Sequence, residues 1–340
     1  MRKQRFFLAI LVVLAASTAA HAHHSGAQFD PRQTATVEGT VQRFEWANPH
    51  VYIFLEQTTE DAKKVRWTIE GAGPGPLRRL GWTQDTLVAG DAIAVTGSLA
   101  RAGTKTMNLF SLRKGGEVLF ESQGLLGLLS TANDAPAAAA ASLDGVWATL
   151  LSMDVVVRLA VAPKGAVPLT AAGDAALASY DEATMSPVLA CVPQPAPFFM
   201  FVPDLKRITT REKTITIAGD YDATERTIHL DAADHRGASP TRHGHSIGRW
   251  EGQTLVIDTV QFATHRIGNA LGVPSGEQKH LVERLTRNEG GASLTYEFEL
   301  TDPEFLAAPV TGRVEWAYRP GLELERETCN PETARRFSIQ

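Results

Sequence analysis

Regular alternation of apolar and polar residues is the feature that most constrains how this chain can fold. Between residues 293 and 300 every second residue is apolar, and the set is Leu294, Tyr296, Phe298 and Leu300. Successive side chains of a strand point to opposite faces, so each such strand has one dry face and one wet face. This pattern is typical of an antiparallel sheet with a single buried side.

The second half of the chain repeats this pattern in a series of short segments separated by turns. A meander of about eight strands closes most naturally as an up-and-down β-barrel that can hold one small ligand, and a two-sheet sandwich is the alternative. A helix is predicted over 171–180. The predicted strands are 214–218, 226–230, 245–251, 254–260, 280–286, 293–300, 312–318 and 322–326.

The first half predicts a smaller all-β unit. Three strands, a short helix and further strands occur in the order of a five-stranded barrel of the oligonucleotide/oligosaccharide-binding (OB) type. We therefore expect an OB-like domain at 23–123, a linker at 124–142 and the larger barrel domain at 143–340. The predicted strands are 36–46, 51–55, 65–69, 92–97, 106–112 and 118–121, with the helix at 76–80.

The amino terminus has the three parts of a secretory signal peptide. Basic residues within positions 1–5 precede an apolar run over 6–16, and Ala20-His21-Ala22 supplies a small-residue cleavage pattern. The apolar run is too short for a stable membrane span. We therefore predict that the signal peptide, residues 1–22, is removed and that a mature chain beginning at His23 is exported to the periplasm.

Composition narrows the range of partners. Without the signal peptide the chain has 30 Lys and Arg against 38 Asp and Glu, a net charge near −8. An acidic chain without basic clusters argues against nucleic acid or anionic membranes as partners. No later apolar run is long enough for a transmembrane segment. Cys191 and Cys329 are compatible with one disulfide in an oxidising compartment, although the sequence does not show that they meet.

A series of spaced motifs in the first half resembles a bacterial family of small exported domains of unknown function. The motifs are His23-His24-Ser25, Phe29-Asp30, Gly39-Thr40-Val41, Trp46-x-Asn48-Pro49-His50, Trp67-x-x-Glu70, Leu77-x-Arg79-x-Gly81-Trp82 and Gly90-Asp91. The resemblance covers nearly all of residues 23–123. It implies a periplasmic β-domain and no established activity.

The second half carries two weaker resemblances. Gly145-Val146-Trp147 is similar to the Gly-x-Trp opening of lipocalin-like barrels. The stretch from Gly244 to Thr259 resembles a segment of other uncharacterised exported bacterial proteins, in which Asp is usual at the position of Gln253. Neither resemblance implies a reaction.

Three histidines near the predicted mature terminus are candidate metal ligands. An amino-terminal His23 offers its α-amine and imidazole to one metal, and His24 and His50 add nitrogen ligands suited to copper or zinc. In the alternative interpretation, His24 begins an unstructured arm and His50 orients a turn by an ordinary hydrogen bond. Glu70, at the end of its strand, is expected to pair with Arg78 or Arg79.

A second candidate site lies on the predicted strand 245–251. His245, Arg249 and Glu251 alternate onto one face, and Asp258 follows on the paired strand. A histidine with a carboxylate can act as a general base, and an arginine can stabilise an anion. The alternative is a polar outer face with cross-strand charge pairs, each contributing roughly 0.2–1 kcal/mol.

Two functions from different classes therefore remain open. The sequence favours a noncatalytic periplasmic protein that binds a small molecule or a metal ion. The alternative is a periplasmic enzyme with a His, carboxylate and Arg site at the mouth of the second barrel. Converging side chains in a cavity would favour the enzyme, whereas the same groups on the outer wall of a filled barrel would favour binding.

Overall fold

The computed structural model describes residues 28–130, 139–220, 224–324 and 328–336. The chain is mainly β, with one six-stranded sheet and one closed barrel. Within these ranges, no helix is both long and apolar enough to cross a membrane. The predicted signal peptide, together with His23 and His24, lies outside the described residues.

The first sheet uses every strand predicted for the first half and makes β1 much longer. Its pairing order is β3-β2-β1-β4-β5-β6, and a parallel pairing of β3 with β5 joins the first five strands in a ring. The helix α1 lies between β3 and β4. The bounds are β1 Phe29–Glu45, β2 Tyr52–Thr58, β3 Lys64–Glu70, α1 Pro74–Arg79, β4 Ala92–Ala100, β5 Thr106–Lys114 and β6 Glu117–Glu121.

The core of this sheet follows from period-two alternation. Apolar side chains at every second position are removed from water, and helix α1 adds Leu77 to the same cluster. The buried strand residues include Val37, Val41, Ile53, Leu55, Trp67, Ile69, Val95 and Leu112. The segment predicted as a linker, 124–142, begins as a helix: α2 (Ser122–Ser130) continues directly from β6.

The second unit is a closed barrel of nine strands, not the eight predicted. Two short strands that the sequence did not reveal, β7 and β8, complete the ring. The predicted strand 322–326 is not observed in its described part, 322–324. The bounds are β7 Gly145–Thr149, β8 Leu205–Thr210, β9 Thr214–Gly219, β10 Glu225–His229, β11 His245–Glu251, β12 Thr254–Val260, β13 His280–Arg287, β14 Ser293–Thr301 and β15 Val310–Tyr318.

An odd number of strands cannot alternate in direction all the way around a closed ring. One neighbouring pair must therefore be parallel, and it is β10 with β11. All other neighbours in the barrel are antiparallel. The barrel is thus a meander with one parallel pair, and residues 230–244 form the crossover between its two strands.

Helical segments lie between β7 and β8, and several of them line a cavity together with residues of the first sheet. The helix predicted over 171–180 is present as α4, where the Thr170 side chain accepts a hydrogen bond from Gly173 N as the amino-terminal cap. The segments are α3 Met153–Val155, a π-helix Val156–Val161, α4 Ala171–Ala178, α5 Glu182–Met185, a 3-10 helix Pro187–Ala190 and α6 Phe198–Phe201.

The carboxyl-terminal segment connects the two units. A disulfide joins Cys191, after the 3-10 helix, to Cys329, just before helix α7 (Pro331–Ala334). Helix α7 contacts the first sheet, where the Thr333 hydroxyl donates to Asn48 O at 3.2 Å. The two cysteines that the sequence left unpaired therefore hold α7 beside the helical segments.

Candidate functional site

A cavity of about 370 Å³ lies between the first sheet and the helical segments before β8. The first sheet contributes His50, Tyr52 and Glu70 to its wall. The opposite wall is mainly apolar and includes Leu151, Val156, Ala160, Val188, Leu189, Phe198 and Phe201. A mainly apolar cavity of this volume with a few polar groups is typical of a small-molecule site.

Glu70 is a polar group of the cavity wall with unused bonding capacity. It ends β3, is 1% exposed, and its Oε1 has no hydrogen-bond partner among the described residues. His50 Nδ1 lies 3.7 Å from that oxygen. The expected Glu70–Arg pair is wrong, because Arg79 instead donates to Pro203 O at 3.0 Å.

The neighbours of Glu70 are held by other bonds. His50 Nδ1 lies 3.1 Å from Gly71 O, and because a carbonyl oxygen can only accept, Nδ1 carries the hydrogen. The Tyr52 hydroxyl donates to Thr333 O at 3.0 Å. Burial, followed by the nearby Glu70 carboxyl, raises the pKa of Tyr52, which keeps its hydroxyl neutral.

A histidine cluster occupies the outer wall of the barrel, partly covered by the crossover 230–244. Asp258 bridges two histidines there: His235 Nε2 and His280 Nε2 lie 3.0 Å from its two oxygens. Since a carboxylate only accepts, both ring nitrogens donate. His235 then uses its other nitrogen toward His245, with the two Nδ1 atoms 2.8 Å apart. The ring of His229 stacks on His245 with centroids 4.9 Å apart.

The charges of this cluster follow from its surroundings. Burial, then the neighbouring His229 and His235, lowers the pKa of His245. Burial by itself would raise the pKa of Asp258, but the hydrogen bonds from His280 and His235 bring it below its usual value. Asp258 is therefore an ionised carboxylate near neutral pH, and His245 is a neutral ring.

Arg249 and Glu251 share the outer face with His245, as the alternation predicts, but they belong to a different group. Arg249 Nε donates to Glu251 at 3.2 Å, and Arg284 donates to the other Glu251 oxygen at 3.0 Å. The hydrogen bond from Arg284 is the main cause of the lowered pKa of Glu251. Four residues of strand separate His245 from Arg249 by roughly 13 Å, so the four candidates do not form one site.

The barrel interior holds a different polar group that the sequence interpretation did not identify. Arg226 donates to both carboxylate oxygens of Glu283, and Tyr296 donates its hydroxyl to the same carboxylate at 2.8 Å. Ser246 and Thr259 accept the remaining hydrogen bonds of the guanidinium. All five residues are buried, so this network fills the interior with satisfied polar groups.

Comparison with known proteins gives one match. Residues 11–109 match the model of a family of unknown function, DUF6152. The match covers less than a third of the chain and includes β1–β4 with the cavity residues His50 and Glu70. Among curated proteins, none matches this chain. The resemblance of the first half to an uncharacterised family is therefore supported, while its activity stays open.

Sequence reasoning found part of these sites and missed the rest. The sequence identifies His50, His245 and Asp258 as candidate site residues, and each of them lies in a polar cluster. His280 and Glu283 fall on opposite faces of β13, as a spacing of three residues on a strand predicts. His235 was missed because it lies in a loop without periodic pattern. The metal candidates His23 and His24 lie outside the described residues, so their proximity to His50 remains a prediction.

Proposed function

We propose that the protein is an exported, noncatalytic binding protein that holds a small, mainly apolar molecule in the cavity between the first sheet and the helical segments. The observation that carries this proposal is the buried Oε1 of Glu70 in that wall, which has no hydrogen-bond partner in the described parts of the chain. A buried polar atom without a partner costs about 1–3 kcal/mol, and a ligand that donates a hydrogen bond removes that cost. The preferred ligand is therefore an apolar amine or alcohol.

The geometry supports binding over the enzyme alternative. His245 and Asp258 lie on the outer wall with His235, while Arg249 and Glu251 form a separate exposed charge pair with Arg284. Inside the barrel, apolar side chains and the Arg226 network take up the space. An enzyme site at the barrel mouth would need His245, Arg249, Glu251 and Asp258 to converge on one point, and these side chains do not converge.

Two observations support export to the periplasm. The first 22 residues have the pattern of a cleaved signal peptide. The disulfide between Cys191 and Cys329 is of the kind that persists in an oxidising compartment.

We also infer that the first sheet is a barrel of the OB type. The ring of pairings β1-β2-β3-β5-β4, with a short helix between β3 and β4, supports this assignment. Strand β6 is an addition at the edge of β5.

Calorimetric titration with n-alkylamines and n-alkyl carboxylates of equal length tests the ligand class. We expect the amines to bind and the carboxylates not to bind, because Glu70 accepts hydrogen bonds at the end of an apolar cavity. Glu70→Gln should weaken amine binding at least tenfold. The matched control is Glu56→Gln on β2, whose side chain pairs with Lys64 at the surface and should leave affinity within threefold. Equal affinity of wild type and Glu70→Gln, or no amine binding, would reject the proposal.

A second candidate function is the binding of copper or zinc by His23, His24 and His50. It is supported by Gln28, the first described residue, which lines the same cavity as His50. A metal bound by all three histidines requires His24 to approach the His50 ring, and four residues of extended chain reach at most about 14 Å from Gln28. The bond from His50 Nδ1 to Gly71 O would orient this ring.

Copper titration of two chains that differ by one residue tests this second function. One chain begins at His23, and the other carries a Met before it, which removes the free α-amine from His23. We expect the first chain to bind one more equivalent of copper, with a visible d–d band that His50→Gln weakens. The same copper stoichiometry and absorption in both chains would rule out the amino-terminal site.

A further inference from the structure

We propose a second, independent site: a divalent transition-metal ion bound on the outer barrel wall between His235 and His245, with Asp258 positioning His235. The ligands would be the two Nδ1 atoms, and the ion would be Cu²⁺, Ni²⁺ or Zn²⁺, which imidazole nitrogen suits. This inference does not depend on the cavity or on the amino-terminal histidines.

The two ring nitrogens are already at a separation that a metal can use. The Nδ1 atoms of His235 and His245 are 2.8 Å apart and share one hydrogen. Two neighbouring ligands of a square-planar ion, with bonds of about 2.0 Å, lie about 2.8–2.9 Å apart. When the hydrogen on His245 moves to its Nε2, both Nδ1 lone pairs become available, and a rotation of each ring by roughly 45° directs them to one ion.

Asp258 supplies the support that metal-bound histidines usually have. It accepts a hydrogen bond from His235 Nε2 at 3.0 Å, on the side of the ring opposite the proposed metal. Such a carboxylate fixes the ring orientation and increases the basicity of the ligating nitrogen. His280 holds the second oxygen of Asp258 and so keeps the carboxylate in place.

The site would be open to exogenous ligands. Within the described parts of the chain, no three His, Cys, Asp or Glu residues are arranged to hold a metal ion. The protein would therefore supply two nitrogens, and water would fill the other positions. His229 and His245 line a solvent-accessible cavity of about 770 Å³ beneath the crossover, which gives an ion and its waters access.

Calorimetric titration of Cu²⁺ into the full mature chain near neutral pH tests the site. His235→Gln and His245→Gln should each weaken one binding event at least tenfold, and the double variant should lose it. Asp258→Asn should weaken it about 10–100-fold while the stoichiometry stays the same. The matched control is Glu251→Gln on the same outer face, which should remain within threefold because its carboxylate pairs with Arg249 and Arg284 and not with the proposed ligands. Every variant keeps the amino-terminal histidines, so any site there contributes equally.

Circular dichroism establishes that each variant is folded, and these side chains are only partly buried. Electron paramagnetic resonance of the copper-loaded wild type should show a nitrogen-coupled copper signal that is absent from the double variant, in addition to any signal from the amino terminus. A double variant that binds copper with wild-type stoichiometry and affinity would overturn the proposal. A loss in Glu251→Gln as large as in His235→Gln would overturn the Nδ1 pair as the ligand set.

Discussion

Arg226 and Glu283 are a buried ion pair whose hydrogen-bonding capacity is used by neighbours inside the barrel. The guanidinium bonds both oxygens of the carboxylate, and hydroxyl groups take what remains. Every nitrogen of the guanidinium has an acceptor, and a network of this kind fixes side-chain positions. We therefore assign the pair to the structure of the barrel and not to its function.

Removing one partner of this pair should be strongly destabilising, because the other charge remains buried. We expect Glu283→Ala to lower the free energy of unfolding by about 3–5 kcal/mol. Glu251→Ala is the matched control, since its partners Arg249 and Arg284 are exposed, and it should lower this free energy much less than Glu283→Ala does. Denaturant unfolding followed by circular dichroism measures both. Equal effects of the two substitutions would contradict the structural role of Glu283.

At the residue scale, the sequence predicted which side chains of one strand share a face, and it missed contacts between segments that are distant in the chain. His245, Arg249 and Glu251 share a face because strand periodicity is local. That this face is the outer one depends on which side of the sheet the barrel closes over. The contact of His235 with Asp258 depends on the path of a loop, which the alternation of residues does not encode.

At the scale of elements, most strands follow from alternation, and the exceptions have a physical cause. Strand β8 carries Lys206, which is fully buried and is hydrogen-bonded by Asp204 and Thr149. A lysine on a buried face interrupts the apolar pattern that marks a strand. Strand β7 is short and buried along most of its length, so it shows no alternation. With these two strands missed and the unobserved strand 322–326 counted, the prediction was eight, and the parallel pair could not be foreseen.

The disulfide joins two short elements, the 3-10 helix and α7, that both contribute to the cavity. Cys191 and Cys329 are 138 residues apart in sequence. Cross-linking a loop of that length should stabilise the folded state by roughly 4–5 kcal/mol in the chain-entropy model. We expect Cys191→Ser/Cys329→Ser to lower the free energy of unfolding by about that amount and to weaken amine binding.

Urea unfolding with and without reductant provides the measurement for this disulfide. Reductant should destabilise the wild-type chain and leave the double variant unchanged. A wild-type chain whose unfolding midpoint does not move on reduction would contradict a stabilising disulfide. Loss of stability without loss of binding would separate the disulfide from the cavity.

At the scale of the whole molecule, the cavity is built from segments that are far apart in the chain. His50 and Glu70 come from the first sheet, Phe198 and Phe201 from the helical segments, and Ala334 from α7. The family match reaches only residue 109, so it includes one wall and not the opposite one. The sequence identified the two β units, but the space between them depends on how they pack.

The single parallel pair in the barrel has a consequence for how the chain can vary. Two parallel neighbours need a crossover of about a dozen residues, whereas antiparallel neighbours can be joined by two. Trimming 230–244 to a tight hairpin would reverse β11 and every strand after it, and the antiparallel pairing that closes the ring between β15 and β7 would be lost. Among related sequences, the residue types in this loop should therefore vary far more than its length.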